Sequence, residues 1–298
     1  MAKISRRLFL AGTGAAIGAG LLGGRPAIAA PTDIIYTNGV AVRRYIPAHW
    51  NNRPPVILVH GGAHAGWSWD RYAAYFQSEG WTCYALDWYN HGLSTALPPA
   101  TFLTRSIKDV LTEINHVRAL LPNPDRFVLM GHSMGGMASL WSSQTLRPRA
   151  LVLMAPVVPT EVGAQAIQIP IDMQVPFPVP PFEIAKSMFY QSMSDTEAML
   201  YYTQLTPESP QAVWEATRWS ISVNLSQVTA DTKVVVGALD TLTPPSVVQP
   251  LATMMGAEYT QWSGIGHADL MVKESGWLPI AQDIQDWLCG CTSDNPLF

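Results

Sequence analysis

Apolar positions along this chain follow two rhythms. Continuous runs, Val56-Ile57-Leu58-Val59, Phe127-Val128-Leu129-Met130, Ala150-Leu151-Val152-Leu153-Met154 and Val234-Val235-Val236, read as strands buried on both faces of a parallel sheet. A further buried strand is expected over residues 82–86 and a last short one over 259–262. Strict alternation over residues 34–46, broken by Asn38-Gly39, predicts a hairpin of two short strands instead. Helical spacing appears between the runs. Ile107, Leu111, Ile114, Val117 and Leu121 predict one helix over residues 104–121, and others are expected around 72–76, over 245–255, and at the end of the chain as far as Cys289. Strand and helix in turn predict an α/β fold with a mostly parallel central sheet.

The alternation stops between residues 157 and 230. Pro170, Pro176, Pro178, Pro180 and Pro181 interrupt it, and amphipathic helices are expected only around residues 182–190 and 196–205. Met173, Phe177, Phe182, Met188, Phe189 and Met193 in this stretch need something apolar to cover. A long irregular insertion of this kind is the pattern of a cap or lid over a site.

Composition narrows the picture. The chain has 298 residues, 48% of them apolar and 13% charged, with a formal net charge of −4, which fits one globular domain with an insertion. No run of Lys or Arg follows the first few residues, so no nucleic-acid groove is expected. Three cysteines exclude a disulfide-built scaffold. Cys83 falls in a buried strand, and Cys289 and Cys291 are too close in sequence for an easy bridge and lack the partners a zinc site needs. No metal or organic cofactor is implied. Residues 1–29 read as an address: Ser5-Arg6-Arg7-Leu8-Phe9-Leu10 resembles the twin-arginine export signal, followed by a Gly/Ala-rich stretch and a cleavage site at Ala27-Ile28-Ala29. That stretch is too short and glycine-dense for a membrane anchor, so a periplasmic or secreted protein served by the twin-arginine machinery is expected. The resulting plan is a signal at 1–29, a core at 30–156, a cap at 157–230 and the rest of the core at 231–298.

The chemistry concentrates at strand ends. Gly131-His132-Ser133-Met134-Gly135 follows an apolar strand and opens a helix, the setting of a nucleophile elbow, in which a tight turn holds a serine hydroxyl clear of its own backbone. His60-Gly61-Gly62-Ala63 follows an earlier central strand, and its small residues allow a backbone amide to approach a substrate oxygen. Asp240 ends a later strand, and His267 stands in the Gly264-Ile265-Gly266-His267 loop before the terminal helix. Asp87 and His91, in the loop after residues 82–86, read as loop architecture, with Asp87 tying down backbone amides. His49, His64, His116 and His132 are structural or unassigned.

Ser133, Asp240 and His267 occur in the chain order of the α/β-hydrolase superfamily, and with the loops at His60 and His267 the chain resembles that family over most of residues 34–290. The resemblance implies an α/β-hydrolase fold with an inserted cap. It implies Ser133 as nucleophile, His267 as the base, Asp240 as the residue orienting that base, and the amides of Gly62 and Met134 as the oxyanion hole, with Ala63 the alternative if the loop runs one residue longer. Relatives that attack with aspartate, the haloalkane dehalogenases and epoxide hydrolases, are excluded by Ser133. The expected activity is hydrolysis of carboxylic esters of fairly apolar small molecules. The alternatives are a carbon–carbon lyase or perhydrolase on the same triad, and a non-catalytic binding protein.

Overall fold

The computed structural model describes residues 30–49 and 52–292. The expected export signal and its cleavage site, at 1–29, lie outside the described residues, as does the tail at 293–298. No helix among the described residues is long and apolar enough to cross a membrane.

Eight strands form one sheet: β1 (Asp33–Thr37), β2 (Val40–Tyr45), β3 (Val56–Val59), β4 (Cys83–Leu86), β5 (Val128–His132), β6 (Ala150–Met154), β7 (Asp231–Gly237) and β8 (Glu258–Trp262). Their spatial order is β1-β2-β4-β3-β5-β6-β7-β8. The β1–β2 and β2–β4 pairings are antiparallel, and every other pairing is parallel. The hairpin turns where Asn38 and Gly39 adopt φ of 48° and 81°, the left-handed pair that a two-residue turn requires. Strands β3 to β6 are buried at every position, which is why they read as unbroken apolar runs.

The helices are α1 (Asp70–Ser78), α2 (Pro99–Leu103), α3 (Leu111–Arg118), α4 (Met134–Leu146), α5 (Phe182–Phe189), α6 (Asp195–Tyr202), α7 (Pro210–Arg218), α8 (Pro245–Met255), α9 (Asp269–Val272) and α10 (Trp277–Thr292). Helices α1, α9 and α10 pack on one another, α3 on α4, and α8 on β7 and β8. The single helix expected over residues 104–121 is replaced by α2, a break at Thr104 to Ser106, and a one-turn 3₁₀ helix (Ile107–Val110) that runs into α3. The physical reason is Ser106: its hydroxyl accepts the Lys108 amide while Asp109 takes the Ser106 amide, a capping box that starts a helix there. The terminal helix continues three residues past Cys289, to Thr292.

Strand β3 has β4 on one side and β5 on the other, so the connections leaving β3 and β5 diverge. Such a switch point opens a crevice at the carboxyl ends of the strands. Val59 lies opposite Gly131 in the register, which sets the loop after β3 directly beside the turn after β5.

Candidate active site

The turn after β5 is strained, and the glycines around it show why. Ser133 has φ of 55° and ψ of −121°, an unfavourable region for a residue with a side chain. A Cβ on Gly131 would lie 2.2 Å from the Gly135 carbonyl oxygen, and one on Gly135 would lie 2.2 Å from the His60 carbonyl oxygen. Neither position has room for alanine. The turn is locked by hydrogen bonds from the Ser133 amide to the Met154 carbonyl and from the Met137 and Val157 amides to the Ser133 carbonyl, at 3.0 to 3.2 Å.

Residues far apart in sequence meet at the Ser133 hydroxyl. Its Oγ lies 2.9 Å from Nε2 of His267, and Nδ1 of His267 lies 2.7 Å from Oδ2 of Asp240. Asp240 follows β7 and is fixed by amides of its own turn: its Oδ1 accepts from Leu242 and Thr243, each at 2.9 Å. The Thr243 hydroxyl stands 3.0 Å from both Asp240 Oδ2 and the Ala155 carbonyl. Backbone at the histidine is held as tightly. The His267 amide donates to Gln191 Oε1 at 2.8 Å, the Ala268 amide to the Phe189 carbonyl at 2.8 Å, and the Gly266 amide to buried Asp269 at 2.8 Å.

The loop after β3 presses against this turn. A Cβ on Gly61 would lie 2.9 Å from the Ser133 Cβ, and one on Gly62 would lie 2.6 Å from the Met134 sulfur, so the two expected oxyanion residues are adjacent. The Ala63 amide donates to Glu208 Oε2 at 3.1 Å, which removes it as a donor for a ligand. Asp87 does tie down amides, accepting from Gly66 at 2.6 Å and Leu93 at 2.7 Å.

Four further histidines surround the site. Nε2 of His60 accepts the Trp88 amide at 3.0 Å, so the ring is neutral with its proton on Nδ1, aimed at the Gly61 carbonyl; burial holds its pKa well below the ordinary range. Burial lowers His64 to about 4, and its Nε2 is 3.1 Å from the Tyr190 hydroxyl. His132 is likewise lowered by burial and bonds to the His267 carbonyl at 3.1 Å. His91 differs: burial favours its neutral form, but the Glu208 carboxylate 3.0 Å away outweighs that and raises its pKa. His49 and His116 have no place in this cluster; His116 bonds to Asn38 at 2.9 Å.

Above the serine lies a cavity of about 710 Å³, counting the space open at its mouth. Its walls are mainly apolar and come largely from the stretch between β6 and β7, including Ile167, Phe177, Met188, Phe189 and Trp219, with Ser133, Gly62 and Met134 at its floor. Met173, by contrast, is exposed. Glu208, Gln191 and Thr243 were not singled out in the sequence. For Glu208 the available cue was Ser209-Pro210, an N-cap followed by proline at the first helical position, which announces α7. Among the described residues no group of three or more His, Cys, Asp or Glu is arranged to hold a metal ion.

Residues 56–276 match the sequence model described as the Alpha/beta hydrolase family. Methylesterase 2 of Arabidopsis thaliana is 33% identical over 88 residues, 28% of this chain and 30% of the relative. Polyneuridine aldehyde esterase of Rauvolfia serpentina is 30% identical over 82 residues, with 28% and 30% of the two chains covered. The chain thus spans about three-tenths of the length of the curated relatives it matches. A thermophilic esterase from Thermogutta terrifontis shares the fold, with a TM-score of 0.66 at 17% identity over 88% of this chain and 99% of that one.

Proposed function

The chain belongs to the alpha/beta hydrolase family, and from that premise we propose that it is a serine hydrolase of carboxylic esters of small, largely apolar molecules. The observation that carries the reading is the continuous line from Ser133 Oγ to His267 Nε2 at 2.9 Å and from His267 Nδ1 to Asp240 at 2.7 Å.

In this reading Ser133 attacks the ester carbonyl carbon while its proton passes to Nε2 of His267. Nδ1 keeps its own proton and donates it in a hydrogen bond to Asp240, whose two oxygens are fixed by Leu242 and Thr243, so the free lone pair of Nε2 points at the serine. The amides of Gly62 and Met134 receive the oxyanion. Two features support Gly62 over Ala63: the Ala63 amide is already spent on Glu208, and Gly62 abuts Met134. His267 then protonates the departing alkoxide, leaving an acyl-Ser133 ester. Water, deprotonated by the same nitrogen, releases the acid and restores the hydroxyl. The apolar walls favour uncharged acyl or aromatic groups, and the esterase names of the relatives agree with ester chemistry.

A panel of p-nitrophenyl esters of rising acyl length tests this. Wild type is expected to turn over short or medium esters, and Ser133→Ala to lose at least about 10⁴-fold in kcat while still binding them. Binding by wild type with no turnover of any ester supports the binding-protein alternative instead. We also propose export through the twin-arginine pathway with a mature amino terminus near Ala30, supported by Ser5-Arg6-Arg7-Leu8-Phe9-Leu10. Peptide mass of the exported protein with residues 1–29 still attached contradicts it.

A further inference from the structure

Glu208 and His91 take no part in the serine chemistry, yet they are built against it. Both are buried, 4% and 1% exposed, and Glu208, between α6 and α7, lines the cavity. Its Oε2 accepts the Ala63 amide at 3.1 Å and meets Nε2 of His91 at 3.0 Å, while Oε1 accepts the Ser209 amide at 2.8 Å. Two residues earlier the Thr206 amide donates to the Ala63 carbonyl at 3.0 Å. Both backbone groups of Ala63 are therefore held by residues 206–208. Ala63 needs holding, because its φ of 61° is left-handed, a conformation unfavourable for a residue with a Cβ.

The charge state of His91 follows from its partners. Nδ1 lies 3.0 Å from the Tyr89 carbonyl and Nε2 lies 3.0 Å from Glu208, and both partners accept. The ring therefore carries both protons and faces Glu208 as an imidazolium. Nearby charges are otherwise spent: Arg105 pairs with Glu113, and Asp87 is held by the Gly66 and Leu93 amides. The neighbouring His60 is neutral, as its acceptor Nε2 requires, and His64 is kept neutral by burial.

We propose that the Glu208–His91 ion pair positions the oxyanion loop: Glu208, oriented by His91, fixes Ala63 and thereby aims the preceding Gly62 amide at the reacting carbonyl. The insertion then completes the active site as well as covering it. This rests on the serine-esterase reading, and Glu208 is a positioning residue, since it touches the loop rather than the reacting atoms.

The test uses the full chain with Glu208→Ala and Glu208→Gln, measuring kcat and KM for p-nitrophenyl butyrate and Ki for phenylboronic acid, a mimic of the tetrahedral state. In Glu208→Ala, kcat should fall about 30-fold and the boronate weaken in proportion, with KM within about twofold, because only the tetrahedral state uses the loop amide fully. Glu208→Gln can set its carbonyl oxygen where Oε2 stands, accepting both the Ala63 amide and the Nε2–H of His91 while giving up the Ser209 amide, and should stay within about threefold of wild type. Should Glu208→Ala fail to fold, Glu208→Asp carries the test: it keeps the charge but draws it back from Ala63, so a kcat loss of about tenfold at unchanged KM is expected. Wild-type kcat and Ki in Glu208→Ala, equal impairment of the alanine and glutamine variants, or wild-type kcat in Glu208→Asp overturns the proposal. Failure of the underlying reading shows separately, as wild-type turnover that survives Ser133→Ala.

Discussion

Ser133 holds its φ of 55° where the residues two positions to either side carry no side chain: a Cβ at Gly135 would meet the His60 carbonyl and one at Gly131 the Gly135 carbonyl. That requirement is local, which is why the Gly131-His132-Ser133-Met134-Gly135 turn is legible in the sequence alone. Asp240 and His267 could be singled out for another reason, since each stands in a loop, after β7 and after β8, at the place that the family resemblance implies. Thr243 was not, because nothing in Asp240-Thr241-Leu242-Thr243 distinguishes the threonine whose hydroxyl stands 3.0 Å from Asp240 Oδ2 from the one two residues earlier. Removing that hydroxyl leaves the buried carboxylate one partner short. Thr243→Val should lower kcat about tenfold with Ser133 still in place, and Thr243→Ser should restore it. Equal kcat for the valine variant and wild type would show that the two turn amides alone orient Asp240.

At the scale of elements, strands were easier to read than helices. β3, β5 and β6 are buried throughout, so their hydrophobic runs carry the assignment without help from periodicity. The sequence 104–121 keeps helical spacing across a true break, and the spacing concealed the capping box at Ser106 and Asp109. Lys233, fully buried in β7, lies among apolar neighbours because β8 and α10 supply Glu258 and Asp283 to its ammonium, a pairing that only the assembled sheet creates. The Glu208–His91 pair has the same origin, its members standing 117 positions apart in the sequence.

This pair joins the loop after β4 to the turn before α7, and it links stability to pH. Burial opposes charge on both groups, but each partner outweighs it: His91 is raised above its ordinary 6.5 and Glu208 lowered below its ordinary 4.5. The histidine contribution is complete below pH 6.5 and is lost as pH rises through the raised value. The glutamate contribution is complete above pH 4.5 and is lost as pH falls through the lowered value. Wild type should therefore exceed Glu208→Gln in Tm by most between pH 4.5 and 6.5, with the gap closing at alkaline pH. Melting both proteins from pH 4 to 10 and finding a constant gap would exclude the linkage.

Over the whole molecule the insertion is fastened to the core on two sides. Glu208, Ser209 and Glu215 bind the loops at 63, 91 and 105–107, while Phe189, Gln191 and Ser192 bind the loop that carries His267 and Asp269. Tyr190, Met193, Ala198, Ala212, Trp219 and Ile221 also belong to the same hydrophobic cluster as the sheet. Insertion and core should therefore unfold in one calorimetric transition, with matching calorimetric and van't Hoff enthalpies. A separate early transition abolished by deleting contacts of α5 to α7 would make the insertion an independent unit. The interruption between residues 157 and 230 led to the expectation of a cap; nothing in its sequence pattern points to the hydrogen bonds that its residues share with the histidine loop and with the loop after β3.

The most direct test of a serine nucleophile in this cavity is to treat the full chain with a fluorophosphonate and locate the adduct by peptide mass. Stoichiometric labelling of Ser133, abolished in Ser133→Ala and slowed in His267→Ala, is the predicted result. Hydrolysis of p-nitrophenyl esters by a protein that takes no label at Ser133 would contradict it.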